Sequence, residues 1–303
     1  MIDVLVEMWS NGLLRRALIV AAIVGVSAPV MGTYLVQRRL TLLGDGIGHM
    51  ALTGVAAGWL AAAAAGASNR DEWAVPGAVI ASILGALIIE YLRDRGKASG
   101  DVALALLFYG GIAGGVLLIG IAGGTTNNLN AYLFGSISTV TVMDLWLSLV
   151  LAVVVLIVGV GLRPALFALC HDQEFATASG LPVRALSVLI SVTAALTVAV
   201  AMRVVGVLMV SALMVIPVAT AQLVTRSFVS TMRFAMLIGV LVAEAGLIIT
   251  YVYDISPGAM IVTLAVGLYA VLSIIRPLLV RSPQGDPHPT MDDQLRGAEC
   301  RTA

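Results

Sequence analysis

The chain is a succession of apolar stretches, each about twenty residues long, separated by short loops that carry most of its charge. A hydrocarbon layer about 30 Å thick is crossed by roughly 20 apolar residues in a helix. Nine stretches meet that requirement, at 14–36, 45–66, 75–92, 101–122, 142–162, 185–203, 205–224, 229–251 and 257–280. Lipid offers no water to exposed amides, so such segments must close their hydrogen bonds internally, and the sequence predicts an all-α polytopic membrane protein. Only 11% of residues are charged and 60% are hydrophobic, far from the composition of a soluble domain. The first stretch, with Arg15 and Arg16 at its start, is a full span rather than the short apolar core of a cleaved signal peptide, and is expected to stay.

Basic residues set the orientation, because cytoplasmic loops collect them. One side of a nine-span chain holds Arg38 and Arg39, then Arg93, Arg95 and Lys97, then Arg163 and Arg184, Arg226 and Arg233, and Arg276 and Arg281. The other keeps Arg70 and Arg203, with Arg15 and Arg16 at its edge. The C-terminus is therefore expected in the cytosol and the N-terminus outside, with residues 1–12 lying on the outer surface. Net charge is zero, which implies no nucleic-acid partner. Cys170 and Cys300 both fall on the cytosolic side, where free thiols are expected. Residues 1–281 read as one transmembrane domain, and 282–303, rich in proline and polar residues, as a disordered tail.

Residues 102–143 carry no charge, too long a run for one helix, and break at Gly123-Gly124-Thr125-Thr126. The next piece, 129–138, is too short to span; a re-entrant segment of an outer gate and a surface helix packed on the bundle both fit it. Gly110-Gly111, Gly114-Gly115 and Gly206 are expected to let helices approach closely, and Met202, Met209 and Met214 to fill apolar space.

Within this apolar frame Asp45 and His49 stand four residues apart, so on a helix they share a face with Cβ atoms about 5–6 Å apart. One small cation can touch both. Ionisable groups inside a membrane segment usually face the bundle interior and mark an ion path. The alternative is a cap at the inner membrane surface by Asp45, with His49 bonded to a backbone carbonyl. Glu244 is the deepest other acid, about 22 Å along its span. It fits either a pathway residue or a protonated carboxyl bonded within the bundle.

The cytosolic loop 163–184 alternates apolar and polar residues at helical spacing. Asp172 is placed to cap a short helix, Gly180 to end it and Pro182 to begin the next. Such a helix is a docking surface, and its acidic Asp172 and Glu174 disfavour anionic lipid as the partner. The chain has neither a G-x-x-x-x-G-K-[ST] phosphate loop nor a His-Glu-x-x-His motif, so hydrolysis of ATP is expected from another chain.

These pieces resemble the permease subunit of bacterial ABC importers for zinc, manganese or iron, the ABC-3 family. The likeness rests on Arg38-Arg39 leading into Leu43-Gly44-Asp45 and His49, on Leu129-Asn130 with Tyr132-Leu133-Phe134-Gly135, and on Glu174-Phe175-Ala176 with Ala178-Ser179-Gly180. It extends through Val204-Val205-Gly206, Val210-Ser211-Ala212-Leu213 with Ile216-Pro217, and Ser256-Pro257-Gly258. Gly48 stands where the family often has Ser, and Thr53 where it often has Pro.

The resemblance implies a type II importer-like fold similar to the cobalamin importer permease, a homodimer with its pathway on the dimer axis, and location in the bacterial inner membrane. It implies an ABC ATPase docked on the Glu174–Gly180 helix and an extracytoplasmic metal-binding protein that delivers the cargo. Asp45 and His49 become the expected metal contacts, with Glu90 as a third at the cytosolic end of its span. The cargo is expected to be a divalent transition metal, zinc first and manganese or iron next, with no permanently bound cofactor. The rival reading is a stand-alone proton-coupled carrier or channel using Asp45, His49 and Glu244 as a relay.

Overall fold

The computed structural model describes residues 9–67, 69–94, 100–123, 126–136, 140–253 and 255–279. The expected tail at 282–303, with Cys300, lies outside the described residues, as do residues 1–8 of the expected surface segment. Every regular element among the described residues is helical. The helices are α1 (Gly12–Gln37), α2 (Leu43–Ala64), α3 (Ala74–Asp94), α4 (Gly100–Ile121), the short α5 (Thr126–Phe134) and α6 (Val142–Leu156). They continue with α7 (Arg163–His171), α8 (Gln173–Ala178), α9 (Val183–Val205), α10 (Val207–Val224), α11 (Phe228–Tyr253) and α12 (Pro257–Leu279). Eight helices are long and apolar enough to cross a membrane, and α10 supplies a shorter apolar one over Met209–Val224. The nine expected spans are these elements.

Lipid gives helices no hydrophobic reason to associate, so close backbone contact and interhelical hydrogen bonds hold them. The glycines supply that contact. A Cβ on Gly54 would lie 2.3 Å from the carbonyl oxygen of Gly77, and one on Gly25 2.9 Å from that of Gly239, pairing α2 with α3 and α1 with α11. On the other side of α1, a Cβ on Gly32 would lie 1.8 Å from the Met214 carbonyl oxygen of α10. α1 and α2 therefore form the centre of the bundle. α1 packs on α6, α9, α10 and α11, and α2 on α3, α4, α9 and α10. Met202 and Met214 are fully buried filling, as their apolar surroundings predict.

α6 runs into a π-helical turn at Ile157–Gly161, which disturbs the regular ladder. The Tyr34 hydroxyl of α1 donates to the Gly159 carbonyl oxygen there. That hydrogen bond ties α1 to α6 just before the chain turns into α7.

Replacing Gly32 with Val is expected to lower stability by about 1–3 kcal/mol or more, since backbone rather than a flexible side chain occupies the space. Gly267, whose Cβ would meet nothing within 4 Å, is the control: Gly267→Ala, inside a helix that favours Ala over Gly, should cause no loss of stability. Thermal unfolding of the purified permease in detergent measures both.

Candidate metal pathway

Asp45 lies in the first turn of α2, yet it does not cap the helix; it accepts a hydrogen bond from the Ser211 hydroxyl of α10. From Ser211 to the end of α10 at Val224 the helix advances about 20 Å at about 1.5 Å per residue. The carboxylate therefore sits within the bundle, not at the inner surface. Gly44 makes this possible, because its Cβ would stand 3.3 Å from the Ser211 Cβ and keep α10 away.

His49 lies one turn further along the same face and is 5% exposed. Its Nδ1 atom is buried with no hydrogen-bond partner among the described residues, so the carbonyl bond of the alternative reading is not made by that nitrogen. α4 walls the ring: Phe108 packs edge-on with ring centroids 4.5 Å apart, and a Cβ on Gly111 would lie 2.9 Å from the His49 Cβ. The Thr53 hydroxyl donates to the Gly111 carbonyl oxygen at 2.7 Å, pinning α4 against α2 one turn beyond the histidine. Thr53 thus does interhelical bonding that a proline could not do.

Glu90 is engaged elsewhere. It accepts a 2.6 Å hydrogen bond from the Ser191 hydroxyl of α9 and pairs with Arg93 at 3.4 Å. The nearby Arg38 guanidinium is pulled down by burial and back up by Glu90. Glu244 shares the outward face of α11 with Leu237 and Leu241, and no hydrogen bond reaches it among the described residues. Among the described residues no three of His, Cys, Asp and Glu gather as a metal cluster, so neither Glu90 nor Glu244 joins Asp45 and His49.

Above the pair, α5 folds onto the break between α9 and α10. Gly135 and Gly206 both have positive φ, 77° and 89°. A Cβ on Gly135 would lie 2.3 Å from the Val204 carbonyl oxygen, one on Gly206 2.4 Å from that of Leu133, and one on Gly258 2.0 Å from that of Val205. Three of the recognised motifs thus meet at one backbone junction, and the short segment is packed on the bundle there. Next to it Arg203 pairs with Asp144 at 2.9 Å and donates to the Asp71 carbonyl oxygen at 3.3 Å. A cavity of about 830 Å³ opens there, lined by Asp71, Glu72, Asp144 and Arg203 among others. Sequence reading missed Ser211, Phe108 and the Asp144–Arg203 pair as site residues. A hydroxyl in an apolar span and opposite charges near span ends were the signals available.

At the opposite end, Asp172 caps α8 by accepting from the Phe175 amide at 2.9 Å, and Gly180 ends it with φ 76°. The loop carries a second helix, α7, packed on the end of α1 through Leu166 and Leu169. Phe175 stands 64% exposed on α8, beside an exposed Glu174. A cavity of about 750 Å³ separates α8 from the inner ends of α3 and α9, lined by Glu90, Tyr91, Gln173, Thr177 and Arg184.

The ABC 3 transport family model matches residues 10–276. The chain belongs to that family. It is a multi-pass membrane permease and not itself an enzyme. The manganese transport system membrane protein MntC of Halalkalibacterium halodurans is 32% identical to the permease over 271 residues, 89% of this chain and 90% of that one. The manganese import system permease protein ScaB of Streptococcus parasanguinis is 30% identical over 87% of this chain and 91% of its own. The solved structure of PsaBC from Streptococcus pneumoniae in complex with Fab superposes at TM-score 0.79 with 27% identity, covering 94% of this chain and 97% of that one. A metal-chelate type ABC transporter in an inward-facing conformation matches at TM-score 0.58 and 21% identity, over 86% of this chain and 85% of that one, and shows a shared fold.

Burial pushes the Cys170 thiol up to about 11, while Arg38 pulls it the other way. Near pH 7.5 it then carries about a hundredfold less thiolate than an ordinary cysteine. In a Cys300→Ser permease, maleimide labelling near that pH is expected to be slow until the protein is unfolded. Rapid labelling of the folded protein would show that the Cys170 face of α7 is not packed against Tyr34 of α1.

Proposed function

We propose that the permease carries a divalent transition metal inward, with manganese first and zinc or iron next, through a pathway in which Asp45 and His49 are the metal contacts. The observation that carries this reading is an aspartate and a histidine on one face of α2, inside the bundle, with a buried imidazole nitrogen that takes no hydrogen bond among the described residues. A carboxylate and an imidazole suit manganese, iron and zinc alike. The relatives named for manganese transport and import move that metal ahead of zinc, which the sequence alone had placed first. A conduit also wants moderate affinity, and two donors from one helix hold a cation without trapping it.

The permease works as a homodimer with the metal passing along the dimer axis, and with no permanently bound cofactor. An ABC ATPase docks on α8, where Phe175 offers an apolar knob and Glu174 a charge. An extracytoplasmic binding protein delivers metal at the end bearing Arg203 and Asp144. The excess of basic residues at the end bearing Arg38, Arg93, Arg163 and Arg184 supports placing that end, and with it the C-terminus, in the cytosol. A stand-alone relay would need Glu244 beside Asp45 and His49, and α11 carries it on another face.

Asp45→Asn keeps the shape and removes the charge, and His49→Ala removes the nitrogen. Each is expected to lower manganese uptake about tenfold or more, with membrane level and ATPase assembly unchanged. Element-resolved metal content of cells relying on this permease is the measurement, with Met209→Leu as a packing control. Normal uptake in both variants would overturn the assignment.

Glu174→Lys and Gly180→Val are expected to leave the permease in the membrane and to break complex assembly or uncouple hydrolysis from uptake. Gly180 has a positive φ that a β-branched residue adopts only with strain. Co-purification of the ATPase and its metal-stimulated hydrolysis read this out. Wild-type values in both variants would make α8 a plain connector.

A further inference from the structure

The two helices that meet at Asp45 differ in how they are held, and this is informative about the metal's other contacts. α2 is fixed between α3 and α4 by the Gly54–Gly77 approach and the Thr53 hydroxyl. α10 begins at the Gly206 break and hangs from the junction with α5 and α12. The side chain that joins them is Ser211, 6% exposed, whose hydroxyl gives its one proton to Asp45. A hydroxyl that donates in this way keeps two lone pairs. They lie beside the carboxylate that would hold the cation.

Resting on the metal reading of Asp45 and His49, we propose that Ser211 is the third metal contact of this site, a neutral oxygen from α10 that adapts the pathway to a hard, oxygen-preferring cation. Glu90 does not fill this place, because Ser191 and Arg93 occupy it. The resulting set of carboxylate oxygen, hydroxyl oxygen and imidazole nitrogen does not by its donor number fill the coordination of a six-coordinate manganese ion, which would keep water in the remaining positions. A four-coordinate zinc ion gains less from a weak hydroxyl ligand. Because the donors come from two helices, a bound ion also braces α10, and with it the Gly206 junction, against α2.

The test uses the complete transporter in cells that depend on it, supplied with manganese and zinc salts at equal concentration, with uptake measured element by element. Ser211→Ala is expected to raise the half-saturating manganese concentration about tenfold. Ser211→Thr, which keeps the oxygen, should restore it. Ser211→Cys, which replaces a hard donor with a soft one, should shift the manganese-to-zinc uptake ratio toward zinc by about tenfold. A packing role alone would not move that ratio. If Ser211→Ala and Ser211→Cys leave both half-saturation and ratio at wild-type values while Asp45→Asn abolishes uptake, the serine is no ligand and the Asp45–His49 reading stands. If Asp45→Asn transports normally as well, both proposals fall.

Discussion

A carboxylate and an imidazole inside an apolar bundle are tolerated only when the surrounding helices come close enough to enclose and bond them. Here that closeness is backbone against backbone. Gly44 lets Ser211 reach Asp45, Gly111 lets α4 press on His49, and Gly32 lets α1 carry α10 at contact distance. Remove any of these approaches and the polar pair is left in an apolar gap without its hydroxyl, its aromatic wall or its depth. The remaining architecture follows from keeping α1 and α2 central and the other spans around them.

The same small-residue logic builds the break above the pair. Non-helical backbone at membrane depth survives where protein encloses it, and the Gly135, Gly206 and Gly258 contacts do so. α5 closes over the start of α10, while the Arg203–Asp144 pair fastens α9 to α6 beside it. α10 therefore connects three things: the backbone junction with α5 at one end, Ser211 in its first turns, and the opposite end of the bundle. On the other side, Glu90 and Ser191 link α3 to α9, and the next turns of α9 lead to α8.

Much of this was legible in the residues. Apolar length gave the spans, and Asp172, Gly180 and Pro182 gave the docking helix, because caps and positive-φ glycines act over a few residues. The Asp45–His49 face was legible for the same reason: helical spacing is local. What required the structure was partnership between distant segments. Nothing near Glu90 in sequence announces Ser191, 101 residues away, which takes it out of the expected metal group. Ser211 likewise lies 166 residues from Asp45, and a lone serine in an apolar helix looks like packing. The absence of a capping bond at Asp45 was also invisible, since the first turn of a helix is where an acidic cap is expected.

In the proposed pathway, His49 and Asp45 hold the transported ion between α2 and α10. Pulsed electron paramagnetic resonance of manganese bound to the purified transporter complex tests it directly, because a coordinated imidazole nitrogen modulates the manganese signal. Nitrogen modulation is predicted in the wild-type complex and its loss in His49→Gln with the protein still folded. Bound manganese with the same nitrogen modulation in both proteins, or none in either, would contradict the account.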